Sequence, residues 1–270
     1  MEERNNKIKM KLSISNIAWV DEWNKDVYAL MQKYGYTGLE IAPTRIFPEN
    51  PYDHLDEAQK WRQDLMEEYG FVIPSMQSIW FGKQEKIFGT EEERNSLIEY
   101  TKKAVDFATG INCKNLVFGC PRNRNLPNGA NEDIAIAFFK ELGEYAASKG
   151  TMIGMEANPT IYNTNYINDT CSALKLIRNV DSRGFKLNLD LGTMIQNGEN
   201  AEELLENVKW INHVHISEPG LKPIQERKLH QEVLKILDAE DYQGFVSIEM
   251  GKVEKIEEID RCLQYVRGQM

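Results

Sequence analysis

The sequence predicts an α/β chain folded as a single (β/α)8 barrel, the TIM barrel. Strand-like apolar runs alternate with helical patterns along all 270 residues. No Ser/Gly-rich linker or low-complexity segment divides the chain, and one such barrel typically takes about 250 residues. We therefore predict one domain over residues 1–270, in which residues 1–9 form a flexible N-terminal extension.

Eight short runs read as strands because they are apolar or alternate with a period of two. They are residues 11–16, 37–42, 71–77, 114–119, 151–156, 185–190, 211–217 and 244–249. Eight strand–helix units close most simply as a barrel. A doubly wound open sheet is the alternative, but no GxGxxG or GxxxxGK[ST] motif follows the first strand.

Start and stop signals separate the helices from these strands. Thr90 and Glu93 have the spacing of a capping box. Asn131 and Asn200 precede two further helical patterns. Glycines that follow helical patterns predict left-handed caps that turn the chain into the next strand: Gly35, Gly70, Gly110 and Gly150.

Composition excludes several classes of function and location. The formal net charge of −10 and pI of about 5.1 argue against a nucleic-acid or anionic-membrane partner, which would need clustered Lys and Arg. No apolar run is long enough to span a membrane, and the charged start lacks the apolar stretch of a signal peptide. The four cysteines show no CxxC spacing, which argues against a zinc site or a disulfide framework. We expect a cytoplasmic protein.

Four of the predicted strands end in a residue that binds divalent metals: Glu156, Asp190, His215 and Glu249. Consecutive members are about 25 to 34 residues apart, close to the length of one strand–helix unit. Equivalent ends of parallel strands lie at the same end of a barrel, where TIM barrels carry their active sites. One such carboxylate is more often a helix cap or a solvated loop residue, but four together predict a shared site.

The alternation of side chains along these four strands supports an inward-facing site. Residues two positions apart share a face, and the residues that share a face with the four ligands are small or polar: Gly154, Asn188, His213 and Ser247. The opposite faces carry Ile, Leu, Val and Met. This pattern is typical of a strand packed on helices outside and facing a barrel interior. His213 lies one layer deeper than His215, so we predict a hydrogen-bonded interior histidine there.

Three carboxylates packed together would raise one another's pKa values unless a cation neutralised them. The cluster therefore predicts one bound divalent metal ion. Three oxygen donors and one imidazole suit Mn²⁺, which we favour, as well as Mg²⁺, Co²⁺ or Zn²⁺.

The chain resembles the sugar phosphate isomerase/epimerase family of xylose-isomerase-like TIM barrels over nearly its whole length. The resemblance rests on motifs that occur in the family's order and spacing: Gly38-Leu39-Glu40, Glu156-Ala157-Asn158-Pro159, Asn188-Leu189-Asp190-Leu191-Gly192-Thr193, His213-Val214-His215-Ile216-Ser217-Glu218 and Ser247-Ile248-Glu249. It implies that Glu156, Asp190, His215 and Glu249 are the metal ligands. It also implies that Glu156 and Glu249 are catalytic and exchange protons with opposite sides of the substrate.

The chemistry implied by this resemblance is isomerisation or epimerisation of a small sugar, polyol or sugar phosphate. A metal that chelates a carbonyl and the neighbouring hydroxyl would stabilise an enediolate after a carboxylate removes the intervening proton. Ketose 3-epimerases usually carry a His where this chain has Thr193, so substrate is oriented differently there. The alternatives are an inosose-dehydratase-like lyase, a non-catalytic metal- or sugar-binding barrel, and a DNA-repair hydrolase, which would need more metal-binding His than the four present.

Further residues near the predicted strand ends are substrate-binding candidates: Glu40, Gln77, Trp80, Arg122, Asn158, Lys222 and Arg227. Trp80 would give an apolar wall to a sugar ring, and the cationic residues would bind a phosphate or an acidic group. Structural hydrogen bonding, core packing and exposed solubilising charge are the alternative explanations. The expected partner is a small-molecule carbohydrate, and a homodimer or higher homo-oligomer is the default assembly.

Overall fold

The computed structural model describes residues 10–270, so the predicted extension, residues 1–9, lies outside the described residues. Eight parallel strands alternate with eight helices. The strands are β1 (Lys11–Ser15), β2 (Gly38–Glu40), β3 (Ser75–Met76), β4 (Asn115–Phe118), β5 (Ile153–Met155), β6 (Phe185–Asp190), β7 (Ile211–Ser217) and β8 (Phe245–Glu249). The helices are α1 (Asn24–Tyr34), α2 (Leu55–Tyr69), α3 (Glu91–Gly110), α4 (Asp133–Ser148), α5 (Thr170–Val180), α6 (Leu191–Asn197), α7 (Lys228–Ala239) and α8 (Ile256–Gly268).

The sheet closes into a barrel between β2 and the segment that leads into β3. The strand order is β2-β1-β8-β7-β6-β5-β4-β3, and Val72 and Met76 form parallel bridges to the β2 side. Backbone hydrogen bonds of 2.8 to 3.2 Å complete the seam: Leu39 to Val72, Val72 to Thr37, Ile41 to Ser75 and Gln77 to Ile41. This closure confirms the predicted TIM barrel and excludes the open sheet.

The third strand is shorter than predicted. Residues 71–77 were expected to form it, but only Ser75–Met76 pair regularly with β4. Pro74 has no N–H to donate to a ladder, which interrupts the pairing just before this point. The segment still joins the barrel through the bridge at Val72.

The apolar faces of the strands pack outward against the helices, as predicted from alternation. On β7 and β8, Val214, Ile216, Val246 and Ile248 are all fully buried. Burying each such side chain stabilises the fold by about 1.5–3 kcal/mol relative to exposure. The inward faces are polar instead: the Asn115 side-chain amide of β4 donates to Ser75 of the neighbouring β3 and to Asn188 of β6.

Helix starts and ends follow most of the predicted signals. The Thr90–Glu93 capping box is present: the Glu93 amide donates to Thr90 Oγ1 at 3.3 Å, and the Thr90 amide donates to Glu93 Oε2 at 2.9 Å. Gly35, Gly70 and Gly150 have positive φ, as predicted. Gly110 does not. It is the last residue of α3, and the left-handed turn lies at Asn112, with a φ of 61°.

The helices predicted after Asn131 and Asn200 begin differently. Asn131 accepts a hydrogen bond from the Asp133 amide at 3.0 Å, and α4 begins at Asp133. Asn200 caps only a short 3₁₀ helix, Ala201–Leu204, because Leu205 is extended and Glu206 is left-handed. In the described part of the chain, none of the helices combines the length and apolarity required to cross a membrane.

His230 of α7 predicts an acid-sensitive fold. Its side chain is fully buried beside the Tyr265 hydroxyl, and burial lowers the pKa of His230 to about 4. An unfolded histidine has a pKa of about 6.5, so between these values the unfolded chain binds a proton that the folded chain does not. This contribution to stability is therefore full above pH 6.5 and is lost as the pH falls toward 4.

Wild type should lose about 2 kcal/mol of stability between pH 7 and pH 5 because of His230, and we expect His230→Gln to abolish this loss. Urea unfolding of wild type and variant at both pH values measures this difference. The exposed Gln231 of α7 provides the control, since Gln231→Ala removes no ionisable group and should leave the pH dependence unchanged. Equal pH dependence in wild type and His230→Gln would contradict the assignment.

Candidate metal centre

The structure brings the four predicted ligand side chains together at the C-terminal ends of β5 to β8. One ligand atom from each of Glu156, Asp190, His215 and Glu249 lies within 4.8 Å of the others. His215 Nδ1 lies 3.0 Å from Glu156 Oε1 and 3.2 Å from Glu249 Oε2. All four belong to neighbouring parallel strands, and their ends meet at one edge of the barrel.

Asp190 is both a helix cap and a member of this cluster. It ends β6 and caps α6, where its Oδ2 accepts a hydrogen bond of 2.8 Å from the Thr193 amide. The Thr193 hydroxyl lies 2.8 Å from the same oxygen and 2.8 Å from the Ala157 carbonyl oxygen. Asp190 Oδ1 accepts from the Ser217 hydroxyl of the next strand. These contacts hold the carboxylate in a single orientation.

Glu156 is held by two side-chain amides. Asn188 Nδ2 donates to Glu156 Oε1 at 2.9 Å, and Asn158 Nδ2 donates to Glu156 Oε2 at 3.1 Å. The neighbouring strand end carries Gly119, where a Cβ would lie 2.7 Å from Glu156 Oε2. A larger residue there would displace the carboxylate, so the glycine makes room for it.

His215 is oriented from below by Glu40 of β2. Its Nε2 lies 3.1 Å from Glu40 Oε2, which leaves Nδ1 directed at Glu156 and Glu249. His213 Nε2 lies 2.8 Å from the same Glu40 oxygen. The predicted interior position of His213 is therefore confirmed, and its neighbour is Glu40. A carboxylate behind a metal-ligating imidazole selects the tautomer and raises the basicity of the ligand.

Electrostatics in the cluster favour a divalent cation. Burial raises the pKa of Glu156 and of Glu249. Burial, and then the charge of Glu156, raises the pKa of Asp190 to about 6. Although burial opposes it, the carboxylates of Glu40 and Glu249 raise the pKa of His215 well above its usual value. A cation at the centre would lower the raised pKa values of the three carboxyl groups. Three carboxylates with one imidazole are also a ligand set that divalent ions accept.

A cleft of about 210 Å³ opens above the four side chains. Gln77, Asn158, Tyr162, Glu218 and Leu221 contribute to its lining together with Glu156, Asp190 and Glu249. Among the described residues that line it, none is Lys or Arg.

The family of this chain follows from a match along its length. The sequence model of the xylose isomerase-like TIM barrel matches residues 28–266. The chain belongs to this family. No curated protein matches it in sequence.

Solved structures similar to this xylose isomerase-like TIM barrel share its fold at low sequence identity. A 3-keto-D-glucoside 4-epimerase, YcjR, from E. coli has 20% identity and a TM-score of 0.73, covering 96% of this chain and 100% of the other. A D-psicose 3-epimerase from Clostridium cellulolyticum H10 has 15% identity and a TM-score of 0.74, covering 95% and 96%. An AP endonuclease of family 2 from Brucella melitensis has 18% identity and a TM-score of 0.71, covering 92% and 96%.

Three of the predicted substrate-binding residues of this TIM barrel lie at or beneath the cleft. Gln77 and Asn158 line it, and their roles stay predictions. Glu40 is fully buried beneath His215, so it cannot reach a sugar hydroxyl. Gln77 Nε2 donates to Ser15 at 2.7 Å and to Glu40 at 3.1 Å, which links the cleft wall to the support under His215.

Trp80 lies in the core and does not line the cleft. Its indole N–H donates to Thr101 Oγ1 at 2.8 Å, and its ring packs edge-on against Phe118 and Phe138. The side chain is only 3% exposed. The predicted apolar wall for a sugar ring is therefore not formed by Trp80, because the loop after β3 turns this ring outward against α3 and α4.

The predicted cationic rim residues do not line the cleft. Arg122 and Lys222 are exposed. Arg227 forms a forked ion pair with Glu218, at 2.9 Å from Nε to Oε1 and 2.6 Å from an Nη to Oε2. Its charge is thus matched by the Glu218 carboxylate, which itself lines the cleft.

Sequence reasoning missed two residues beside the cleft of this TIM barrel. Tyr162 is the one aromatic side chain among the described lining residues, and its hydroxyl accepts from the Gly220 amide at 2.9 Å. Arg124 is fully buried and donates to the carbonyl oxygens of Gly119 and Glu156 at 2.6 and 2.8 Å. Tyr162 lies in the loop after Glu156, which could have indicated it. No local pattern distinguished Arg124 from the exposed Arg122.

Support of His215 by Glu40 predicts a change in metal affinity. We expect Glu40→Gln to weaken Mn²⁺ binding by about 10–100-fold, since loss of such a supporting carboxylate typically has this effect. Calorimetric titration of metal-free protein with Mn²⁺ measures it. Glu49→Gln, an exposed change in the loop after the same strand, is the matched control. Unchanged Mn²⁺ affinity in Glu40→Gln would show that His215 needs no such support.

Proposed function

We propose that this chain is a divalent-metal-dependent isomerase or epimerase of a small sugar or polyol, acting through an enediolate intermediate. The observation that carries the proposal is the pair of carboxylates, Glu156 and Glu249, that flank His215 Nδ1 at the floor of a small cleft. Sugar epimerases among the structurally similar proteins support the same class of reaction.

Glu156, Asp190, His215 and Glu249 would hold the metal ion. When bound, it would supply Lewis-acid polarisation of a substrate carbonyl and stabilise the negative charge that develops on its oxygen. Mn²⁺ remains our preference because the donors are three carboxylates and one imidazole, while Mg²⁺, Co²⁺ and Zn²⁺ also accept this set.

The two glutamates differ in how tightly they are held. Both oxygens of Glu156 accept hydrogen bonds from Asn158 and Asn188. Within residues 10–270, the Glu249 carboxylate contacts only His215 in this way. We therefore propose that Glu249 is the more mobile proton acceptor. Burial raises its pKa, which brings the carboxylate closer to the basicity that proton transfer at neutral pH requires.

Size and charge of the cleft favour a small, uncharged substrate. Its volume of about 210 Å³ is below the roughly 300–1,000 Å³ typical of sites for larger ligands. A phosphate group would need a positive partner, and no Lys or Arg lines the cleft within the described residues. The contacts therefore support a free sugar or polyol over a sugar phosphate.

Thr193 argues against the substrate orientation of the ketose 3-epimerases. Its hydroxyl is buried against Asp190 and the Ala157 carbonyl, so it presents no group to a substrate where those enzymes usually carry a His. The reaction type is consequently open within the class: the same enediolate yields an isomer, an epimer or, by loss of a neighbouring hydroxyl, the product of a lyase.

Solvent deuterium exchange tests the proposal. A panel of ketoses, inososes and their phosphates is incubated in D₂O with the Mn²⁺-loaded protein and with chelator-treated protein. We expect deuterium at the carbon beside the carbonyl of an unphosphorylated member, only with metal, and product analysis then separates isomer, epimer and dehydrated product. Absence of exchange in every substrate, with Mn²⁺ bound, would refute the proposal and favour a non-catalytic barrel.

DNA hydrolysis has little support from the site. The cluster contains one histidine, and His54 and His230 lie outside it. The cleft offers no cation to a phosphodiester among the described residues. Cytoplasmic location and assembly into a homodimer or higher oligomer stay predictions.

A further inference from the structure

A second cavity opens at the end of the barrel opposite the metal centre. It has a volume of about 420 Å³ and lies where β3, β4, β7 and β8 begin. Arg62, Lys114, Asn115, Asn212 and Phe245 contribute to its lining. This end of a TIM barrel ordinarily serves stability and is closed by packed side chains, so an open cavity that also carries two cationic residues needs another explanation.

Small and polar residues inside the barrel keep this end open. At Gly154 a Cβ would lie 2.5 Å from Asn115 Oδ1, so the glycine leaves room for the asparagine side chain. A register shift between β6 and β7 makes Asn212 an extra residue in β7. Asn212 Nδ2 then reaches across the barrel and donates to Asn115 Oδ1 at 2.8 Å. Side-chain amides thus face the cavity beside the apolar residues Val72, Ile73 and Phe245.

Arg62 of α2 gives the cavity an unmatched positive charge. Its side chain is half-buried and lines the cavity. Within residues 10–270 it has neither a hydrogen-bond partner nor an ion-pair partner, although the chain carries a net charge of −10. Lys114 is exposed at the same mouth, and within the described residues its ammonium group donates only to the Gly150 carbonyl, at 3.1 Å. No described lining residue carries a carboxylate.

We propose that this cavity binds a small molecule carrying a phosphate or a carboxylate group. The guanidinium of Arg62 would pair with the oxyanion in a forked geometry, and Lys114 would add positive charge. The side-chain amides of Asn112 and Asn212 would form hydrogen bonds with the uncharged part of the molecule. The volume lies within the range of about 300–1,000 Å³ that is typical of small-molecule sites. His213, which lies 2.8 Å from Glu40, also lines this cavity. None of the four metal-ligand candidates does, and the proposal does not depend on the proposed function.

Amide NMR of the full chain with Mg²⁺ at the metal centre tests the site, with inorganic phosphate and citrate as separate probes. We expect saturable shifts of the Asn112, Lys114 and Gly244 amides with at least one probe. The stronger of the two identifies the phosphate or the carboxylate class. Arg62→Gln should weaken that binding at least tenfold. The matched control is Arg183→Gln, an exposed arginine in the loop before β6, which should change it less than twofold.

Three results would overturn the assignment. The first is that neither probe causes a saturable amide shift. The second is that the shifts are confined to the Gly119 and Ser217 amides at the metal-centre end. The third is that wild type and Arg62→Gln bind the probe with equal affinity. Thermal unfolding of both variants checks that they are folded. Arg62 is half-buried and Arg183 is exposed, but neither has a hydrogen-bond or ion-pair partner within residues 10–270, so we expect little change in either melting temperature. Failure here would leave the deuterium-exchange result untouched, since that experiment reports on the opposite end of the barrel.

Discussion

Glu249→Gln should lower turnover by about 10²–10⁴-fold, the usual contribution of a positioned general base. The amide keeps the shape and one oxygen donor of the side chain, but it cannot take a proton from the substrate. Because Glu156, Asp190 and His215 remain, some Mn²⁺ should stay bound. Turnover and deuterium exchange are measured with saturating Mn²⁺, which separates loss of the base from loss of the metal.

The control for Glu249 is Glu254→Gln, an exposed glutamate in the loop that follows β8. It loses the same charge from the same rim and should retain wild-type turnover. If Glu249→Gln with Mn²⁺ bound turned over as fast as wild type, Glu249 would have no part in proton transfer, and Glu156 alone would have to serve. Single-base chemistry would then favour aldose–ketose isomerisation over epimerisation.

Arg124→Met should lower the free energy of unfolding by at least about 3 kcal/mol, because buried acceptors left without donors cost about 1–3 kcal/mol each. The guanidinium reaches four acceptors at 2.6 to 3.1 Å: the carbonyls of Gly119, Glu156 and Ile167 and the side-chain oxygen of Asn158. Burial lowers the pKa of Arg124 to about 10, so the group stays charged at neutral pH. Urea unfolding at pH 7 measures the change.

Arg124→Lys tests whether charge or geometry matters at this position. One ammonium cannot reproduce a planar fork that spans β4, β5 and the loop after β5, so we expect most of the loss to persist. The neighbouring Arg122 is exposed, and Arg122→Met should change stability by no more than about 0.5 kcal/mol. If Arg124→Met were as stable as Arg122→Met, the bonds to Glu156 and Asn158 would not hold this side of the cleft.

The same geometry links stability to the site. Arg124 bonds to the backbone of Glu156 and to Asn158, and the Asn158 amide in turn donates to Glu156 Oε2. Loss of Arg124 should therefore disturb Glu156 as well as the fold. The strand-end pattern that predicted Glu156 contains no information about this support, since the partners lie about 32 residues apart and meet only through the barrel.

The barrel and the convergence of Glu156, Asp190, His215 and Glu249 were predictable from the amino-acid sequence. Both follow from local regularities. Side chains alternate between the two faces of each strand, and the carboxyl ends of parallel strands lie at the same edge of the sheet. Three other features became visible only in the folded chain: Trp80 packs in the core, Arg227 pairs with Glu218, and Glu40 lies beneath His215. Each of these depends on how a loop or a side chain meets a distant strand, which spacing along the chain does not encode.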